Sequence, residues 1–177
     1  MIETLISSKT RIKLLLKFFL NSETTSYLRS LETEFGDSTN SIRVELNRLE
    51  HAGMLSSAMD GNKKLFKANT KHPLFNEIHN IVIKHLGFDT IIEKVINQLG
   101  HVELVYITGP LSKGQDSQEI ELILIGDIKE EYLIDLVTRV EKLIKRKVKY
   151  QIWNSVLWSE KNLMDFASKP FLIWEHE

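Results

Sequence analysis

The chain contains no cysteine among its 177 residues, and it has no long uninterrupted apolar run. Without cysteine, disulfide bonds and a thiolate nucleophile are excluded, and the composition suits a reducing cytoplasm. The most apolar early run, residues 14–20, is far shorter than the roughly 20 residues that a membrane-spanning helix needs. Lysine and arginine between residues 9 and 17 also interrupt the apolar stretch of any secretory signal. We therefore expect a cytoplasmic protein without a membrane segment.

The sequence also lacks internal repeats, low-complexity tracts and a linker rich in proline, glycine or serine. Its six histidines show no metalloprotease spacing or compact cluster, so we expect no bound metal and no cofactor. Apolar residues make up 42% and charged residues 27%, which is typical of a globular protein. A change in pattern after residue 86 indicates two domains, 1–86 and 87–177, joined through a helix.

The formal net charge of −1 is unevenly distributed along the chain. Residues 1–72 carry 11 lysines and arginines against 8 aspartates and glutamates, whereas the remaining residues carry 12 against 16. A basic half beside an acidic half indicates that the first domain faces an anionic partner such as DNA.

The first domain shows the pattern of helices followed by a hairpin. Apolar residues from Ile6 to Phe19 predict a first helix, and a second follows residues 25–26 and ends at Gly36. Asp37 and Ser38 can cap a third helix over residues 39–52, whose buried stripe is Ile42, Leu46 and Leu49. A short turn between two helices, the second amphipathic, predicts a helix-turn-helix.

A hairpin is predicted next, because Asp60-Gly61-Asn62 separates two short strand-like runs, 54–57 and 64–68. A further helix is predicted from Pro73 onwards. The outer face of the third helix supplies amide, hydroxyl and guanidinium groups that can contact bases, and the hairpin supplies two lysines for phosphates. The predicted DNA-binding residues are Thr39, Asn40, Ser41, Arg43, Asn47, Lys63 and Lys64. Arg48 can reach the DNA backbone or pair with Glu45, and the sequence leaves both alternatives open.

The first half resembles the ArsR-type winged-helix regulators, in the branch where the winged helix is fused to a nucleotidyltransferase-like domain. The resemblance rests on the order of four segments: Tyr27-Leu28-Arg29, residues 41–50, Ala52-Gly53-Met54-Leu55, and residues 61–69. It implies double-stranded DNA as partner and a homodimer on a palindromic site. The ArsR metal site does not transfer, because its cysteines are absent.

The second half predicts strands at 102–108, 120–125, 148–153 and 171–174, with helices at 130–144 and 157–166. The fold class is therefore α+β: an N-terminal winged helix-turn-helix followed by a small α/β nucleotidyltransferase-like domain. Nucleotidyltransferases place Gly-Ser after the first strand, Asp-x-Asp on the second and a third carboxylate later, since carboxylates hold Mg²⁺ at the reacting phosphate.

This chain differs from the nucleotidyltransferase pattern at each position that carries the chemistry. Gly109 is followed by Pro110, Glu119-Ile120-Glu121 stands for Asp-x-Asp, and Lys149 lies where the third carboxylate is expected. A structural role for the two glutamates is favoured over metal binding. The sequence therefore predicts a degenerate domain without catalytic residues, in a chain that is not an enzyme.

The favoured function is a sequence-specific transcriptional regulator, in which the second domain serves as a sensor or interaction module for a nucleotide or protein effector. One alternative is an active nucleotidyltransferase that uses the winged helix for docking. Another is a protein–protein adaptor whose winged helix no longer binds DNA.

Overall fold

The computed structural model describes residues 2–176, apart from the side chains of residues 160 and 165, and shows a mixed α+β fold. Two compact units are present, Met1–His85 and Leu86–Glu177. No helix within residues 2–176 is long and apolar enough to cross a bilayer.

The first unit contains a helical cluster and a small sheet. Its elements are α1 (Ile2–Leu5), α2 (Lys9–Phe19), β1 (Thr25–Tyr27), α3 (Leu28–Phe35), α4 (Thr39–His51), β2 (Leu55–Asp60), β3 (Lys63–Ala68) and α5 (Phe75–Leu86). Apolar positions of α2 and α4, including Leu14, Phe18 and Leu46, are almost fully buried and form the core. Helix α4 packs against both α2 and α3, so its exposed side is fixed in orientation.

The small sheet has the order β1-β3-β2, and both pairings are antiparallel. Asp60 lies opposite Lys63, so only Gly61 and Asn62 form the turn of the β2–β3 hairpin. Gly61 has a φ of +59°, a left-handed conformation that glycine adopts without steric cost. Strand β1 had no counterpart among the elements predicted from the sequence.

The second unit pairs one sheet with a long helix. Its elements are α6 (Phe88–Ile91), a π-helical stretch (Ile92–Ile96), α7 (Asn97–Leu99), β4 (Val102–Thr108), α8 (Gly109–Ser112), β5 (Glu119–Gly126), α9 (Glu130–Ile144), β6 (Lys147–Trp153), a 3-10 helix (Glu160–Asp165) and β7 (Phe171–Glu175). The sheet order is β6-β5-β4-β7, with β5 and β6 parallel and the other pairs antiparallel.

The two faces of this sheet differ in composition because alternate strand residues point to opposite sides. Helix α9 contacts β6 and buries Leu133, Leu136 and Val140. One face carries Tyr106, Ile123 and Ile125, which pack with an apolar and aromatic group comprising Leu104, Trp153, Trp158, Leu163 and Phe166. On β5 the alternation brings Glu119 and Glu121 onto the side of Ile123 and Ile125, at the other end of the strand.

Two sequence predictions require correction. The predicted first helix is divided after Leu5, because the Ser8 hydroxyl accepts a hydrogen bond from the Arg11 amide and starts a separate helix α2. The predicted helix over 157–166 is instead a 3-10 helix from residue 160 to 165, started by a capping box between Ser159 and Asn162. Trp158 precedes that helix and contacts the Tyr106 and Trp153 rings, so tertiary packing determines its conformation.

Candidate nucleic-acid interface

An open groove of about 740 Å³ lies between α4 and the β2–β3 hairpin of the first unit. Helix α3 and strand β1 complete its wall. One carboxylate, Glu32, is among the residues that line the groove. Four cationic side chains also line it: Arg29, Arg43, Lys63 and Lys64. The local excess of positive charge makes this groove attractive to a polyanion.

The turn that introduces α4 is held by side-chain hydrogen bonds. Gly36 ends α3 with a φ of +66°, and the Ser38 hydroxyl caps α4 by accepting a bond from the Ser41 amide at 3.2 Å. Asp37 does not cap α4; its carboxylate accepts bonds of 2.8 Å from Thr10 and from Lys13 of α2. These contacts fix the start of α4 relative to the core.

Helix α4 buries one face and presents the other. Ile42, Leu46 and Leu49 are at most 6% exposed, as the sequence predicted for the apolar stripe. The residues predicted to bind DNA lie opposite: Thr39 is half-buried, whereas Asn40, Ser41, Arg43 and Asn47 are exposed.

The structure places five of the seven predicted DNA-binding residues along the groove. They are Thr39, Arg43, Asn47, Lys63 and Lys64. Asn40 and Ser41 are exposed at the start of α4, outside the groove lining, and the Ser41 hydroxyl is hydrogen-bonded to Ser38 at 2.8 Å.

Sequence reasoning missed Tyr27, Arg29 and Asn62, which also line the groove. The Tyr27 ring lies 4.7 Å from the Lys63 ammonium, within cation–π distance. Arg29 is exposed in the first turn of α3. Tyr27 and Arg29 lie in the segment 27–29 and Asn62 in the segment 61–69, both of which carry the family resemblance, but only three-dimensional proximity brings α3 and β1 to this groove.

A largely buried carboxylate anchors α4 to α2. Glu45 is 8% exposed and accepts bonds from Arg11 Nε at 2.8 Å and Arg48 Nη1 at 3.3 Å. Burial raises the pKa of the Glu45 carboxyl, but bonds from Arg11 and Ser8 and the charges of Arg11 and Arg48 outweigh burial and lower that pKa overall. Of the two alternatives left open for Arg48, the structure shows the pairing with Glu45.

The second unit brings together the residues that the sequence compared with a nucleotidyltransferase site. Gly109 begins α8 with a φ of +67°, and a Cβ atom there would lie 2.6 Å from the carboxyl carbon of Glu121. Lys149 lies opposite Glu121 on the parallel strand β6, and its ammonium is 2.6 Å from Glu119 Oε2. The hydrogen bond to Glu119 and its charge raise the pKa of Lys149.

This arrangement does not fit a divalent cation. Mg²⁺ requires oxygen ligands in near-octahedral geometry, but one of the two carboxylates is paired with an ammonium. Across the described part of the chain, no group of three or more histidine, aspartate or glutamate residues is placed to hold a metal.

Comparison with known proteins gives little beyond a likeness of fold. No family model and no curated protein matches the chain. Among solved structures, a mutant of the toxin–antitoxin pair MntA–HpeT matches at 13% identity and a TM-score of 0.39, covering 51% of this chain and 73% of the other. The tri-AMPylated HEPN toxin of Shewanella oneidensis in complex with MNT antitoxin matches at 12% identity and a TM-score of 0.37. That match covers 52% of this chain and 73% of the other.

These matches correct one sequence prediction. The prediction that the chain is not an enzyme is contradicted by these matches, one of which holds a tri-AMPylated toxin with its antitoxin. At these identities and TM-scores, neither structure assigns a reaction, substrate or partner to this chain.

Proposed function

We propose that the first unit is a winged helix-turn-helix that binds double-stranded DNA, and that the protein acts as a sequence-specific transcriptional regulator. The observation that carries the proposal is the cationic groove between an exposed helix face and a two-residue-turn hairpin. In this proposal α4 enters the major groove and the hairpin contacts the adjacent phosphate backbone.

The chemistry of the α4 face supports base contacts as well as phosphate contacts. Arg43 and Asn47 are exposed one helical turn apart and project from the same side as Thr39. A guanidinium matches the two acceptors of guanine, and an amide matches the donor and acceptor of adenine. Asn40 and Ser41, at the N-terminal end of α4, are proposed to contact bases or phosphates there.

The hairpin and α3 supply the phosphate contacts in this proposal. Lys63 and Lys64 begin β3, next to the turn, and Arg29 lies across the groove in α3. Because the whole chain carries a formal charge of −1, the attraction to DNA depends on this local surface rather than on net charge.

We further propose that two copies associate through the exposed side of α5. Leu74, which directly precedes α5, and Ile81 are 49% and 41% exposed, and Ile78 lies between them at helical spacing. Glu77 and Lys84, seven residues apart, flank that apolar line. In an antiparallel two-fold pair, each Glu77 faces Lys84 of the other copy, so the surface is complementary to itself.

The experiment that tests DNA binding is selection of duplexes from a random library with the full chain, followed by titration across a salt series. We expect an enriched sequence, bound more tightly than unselected DNA, with an affinity that falls linearly as salt rises on logarithmic axes. Equal affinity for every duplex would remove the sequence-specific regulator, and no affinity at low salt would remove DNA binding.

A second candidate function is nucleotidyl transfer by the second unit; the position of Gly109 beside Glu121 favours it, whereas the pairing of Glu119 with Lys149 opposes it. The Glu121 carboxylate occupies the space beside Gly109, and Glu121 shares one face of β5 with Glu119. Incubation of the wild type and Glu121→Gln with labelled nucleoside triphosphates and candidate acceptors tests this function. Label transferred by the wild type and lost in the variant would support it, and no transfer by either would oppose it.

A further inference from the structure

Two neighbouring lysines of the hairpin have different surroundings. The Lys63 ammonium lies over the Tyr27 ring at 4.7 Å, and no ion pair joins Lys63 to the other described residues. The Lys64 ammonium lies 2.7 Å from Glu50 Oε2 and is within 5.2 Å of the Phe66 ring centroid. Lys63 therefore has a charge available for an external anion, whereas that of Lys64 is compensated inside the protein.

Glu50 links both strands of the hairpin to α4. Its Oε2 atom accepts the bond from Lys64 of β3, and its Oε1 atom accepts a short bond from the Ser57 hydroxyl of β2. The carboxylate is 28% exposed, so water screens the pair less than at a fully solvated site. One side chain on the helix thus holds the hairpin at a defined distance from α4.

We propose that Glu50 is a positioning residue that fixes the width of the groove through Lys64. This narrows the phosphate contacts proposed above for the hairpin: Lys63 rather than Lys64 neutralises a DNA phosphate. This inference rests on the proposed function, because the groove width matters only if duplex DNA occupies the groove. A helix and a hairpin contact one duplex together only when their separation matches the spacing of groove and backbone.

The direction in which DNA affinity changes when Glu50 loses its charge distinguishes a positioning role from simple electrostatic repulsion. A carboxylate beside DNA repels phosphates, so removing its charge would tighten binding if Glu50 acted by charge alone. If Glu50 positions the hairpin, removing the charge releases Lys64 and Ser57, and binding becomes weaker despite the lost repulsion.

The experiment compares the full-length wild type with Glu50→Gln, Lys64→Met, Lys63→Met and the double variant Glu50→Gln/Lys64→Met. Affinity for the selected duplex is measured across a salt series by fluorescence anisotropy. Lys63→Met is expected to reduce the slope of log affinity against log salt by about 0.9, the value for one phosphate contact. Glu50→Gln and Lys64→Met are expected to weaken binding about two- to fivefold with the slope unchanged, and the double variant to be no weaker than either single one.

Tighter binding by Glu50→Gln, or a reduced salt slope for Lys64→Met, would overturn the inference while leaving the proposed function intact. Absence of DNA binding by the wild type would instead overturn the proposed function itself. If Glu50→Gln fails to fold, as judged by circular dichroism, Ser57→Ala removes the second bond alone. Weaker binding with an unchanged slope in that variant supports positioning, and unaltered binding opposes it.

Discussion

Glu45 of α4 and Arg11 of α2 form a two-bond ion pair, with Nε–Oε2 at 2.8 Å and Nη2–Oε1 at 3.3 Å. The Glu45 side chain is 8% exposed and that of Arg11 is 36% exposed. The pair joins the helix proposed to enter DNA to the core of the first unit. It therefore connects the stability of this unit to the orientation of its proposed binding surface.

We expect Glu45→Gln to lower the free energy of unfolding by about 1–2 kcal/mol. The expected loss is near the low end of the range for hydrogen bonds to charged groups, because solvent reaches the Arg11 side chain. Chemical denaturation at neutral pH measures the change. An equal loss in Arg48→Ala would mean that Arg48, and not Arg11, is the main partner of Glu45.

The same carboxylate predicts a dependence of stability on pH. The pKa of Glu45 is lowered in the folded protein from its ordinary value of 4.5. A lowered folded pKa means that the stabilisation is fully present above the unfolded pKa and is lost as pH falls through the folded pKa. Unfolding titrations from pH 7 to pH 3 should show a smaller loss of stability in Glu45→Gln than in the wild type. Parallel pH profiles of the two proteins would contradict this assignment.

A second ion pair, between Lys17 of α2 and Glu34 of α3, is almost removed from solvent. The nitrogen–oxygen distance is 2.7 Å, the side chains are 7% and 13% exposed, and Glu34 Oε1 has no hydrogen-bond partner among the described residues. We expect Lys17→Met to cost about 3–5 kcal/mol, since it leaves a buried carboxylate uncompensated, and Lys17→Met/Glu34→Leu to recover most of that loss.

The control for this prediction is the exposed pair between Lys67 and Glu23, whose side chains are 40% and 80% exposed. Lys67→Met should change the free energy of unfolding by less than about 1 kcal/mol. Urea denaturation of the four proteins measures both effects. A double variant as unstable as Lys17→Met would show that lost packing, and not the uncompensated charge, causes the effect.

The proposed base recognition by α4 predicts a selective effect of Arg43→Ala. Losing a bidentate contact to guanine should cost about 1–3 kcal/mol on the selected duplex and much less on random DNA. Arg139→Ala is the matched control, because Arg139 is an exposed arginine on α9 in the other unit. Equal weakening on both kinds of DNA would reassign Arg43 to a phosphate contact.

The proposed self-complementary dimer surface of α5 predicts the result of a charge swap. Glu77→Lys and Lys84→Glu should each convert a dimer into a monomer at micromolar concentration, because like charges then face each other across the two-fold axis. The double variant restores opposite charges and should restore the dimer. Sedimentation velocity measures the three species, and a monomeric wild type would exclude the α5 interface.

Local sequence patterns determined most helices and the hairpin of this protein. Helix α9 spans residues 130–144 as predicted, and α4 ends one residue before the predicted boundary. These elements follow from apolar periodicity, from Ser38 as a cap and from glycine at Gly36 and Gly61, all of which act within a few residues.

Tertiary structure decided the features that depend on residues distant in sequence. Strand β1 has only three residues and forms because Thr25–Tyr27 pairs with β3, some forty residues later. The pairing of Lys64 with Glu50, and of Lys149 with Glu119, likewise joins residues distant in sequence. Periodicity reports which side chains are buried, whereas ion pairing depends on distances that only packing of the whole chain sets. The sequence by itself therefore determined the elements and the polar face of α4, and the tertiary structure decided which charges remain available to a ligand.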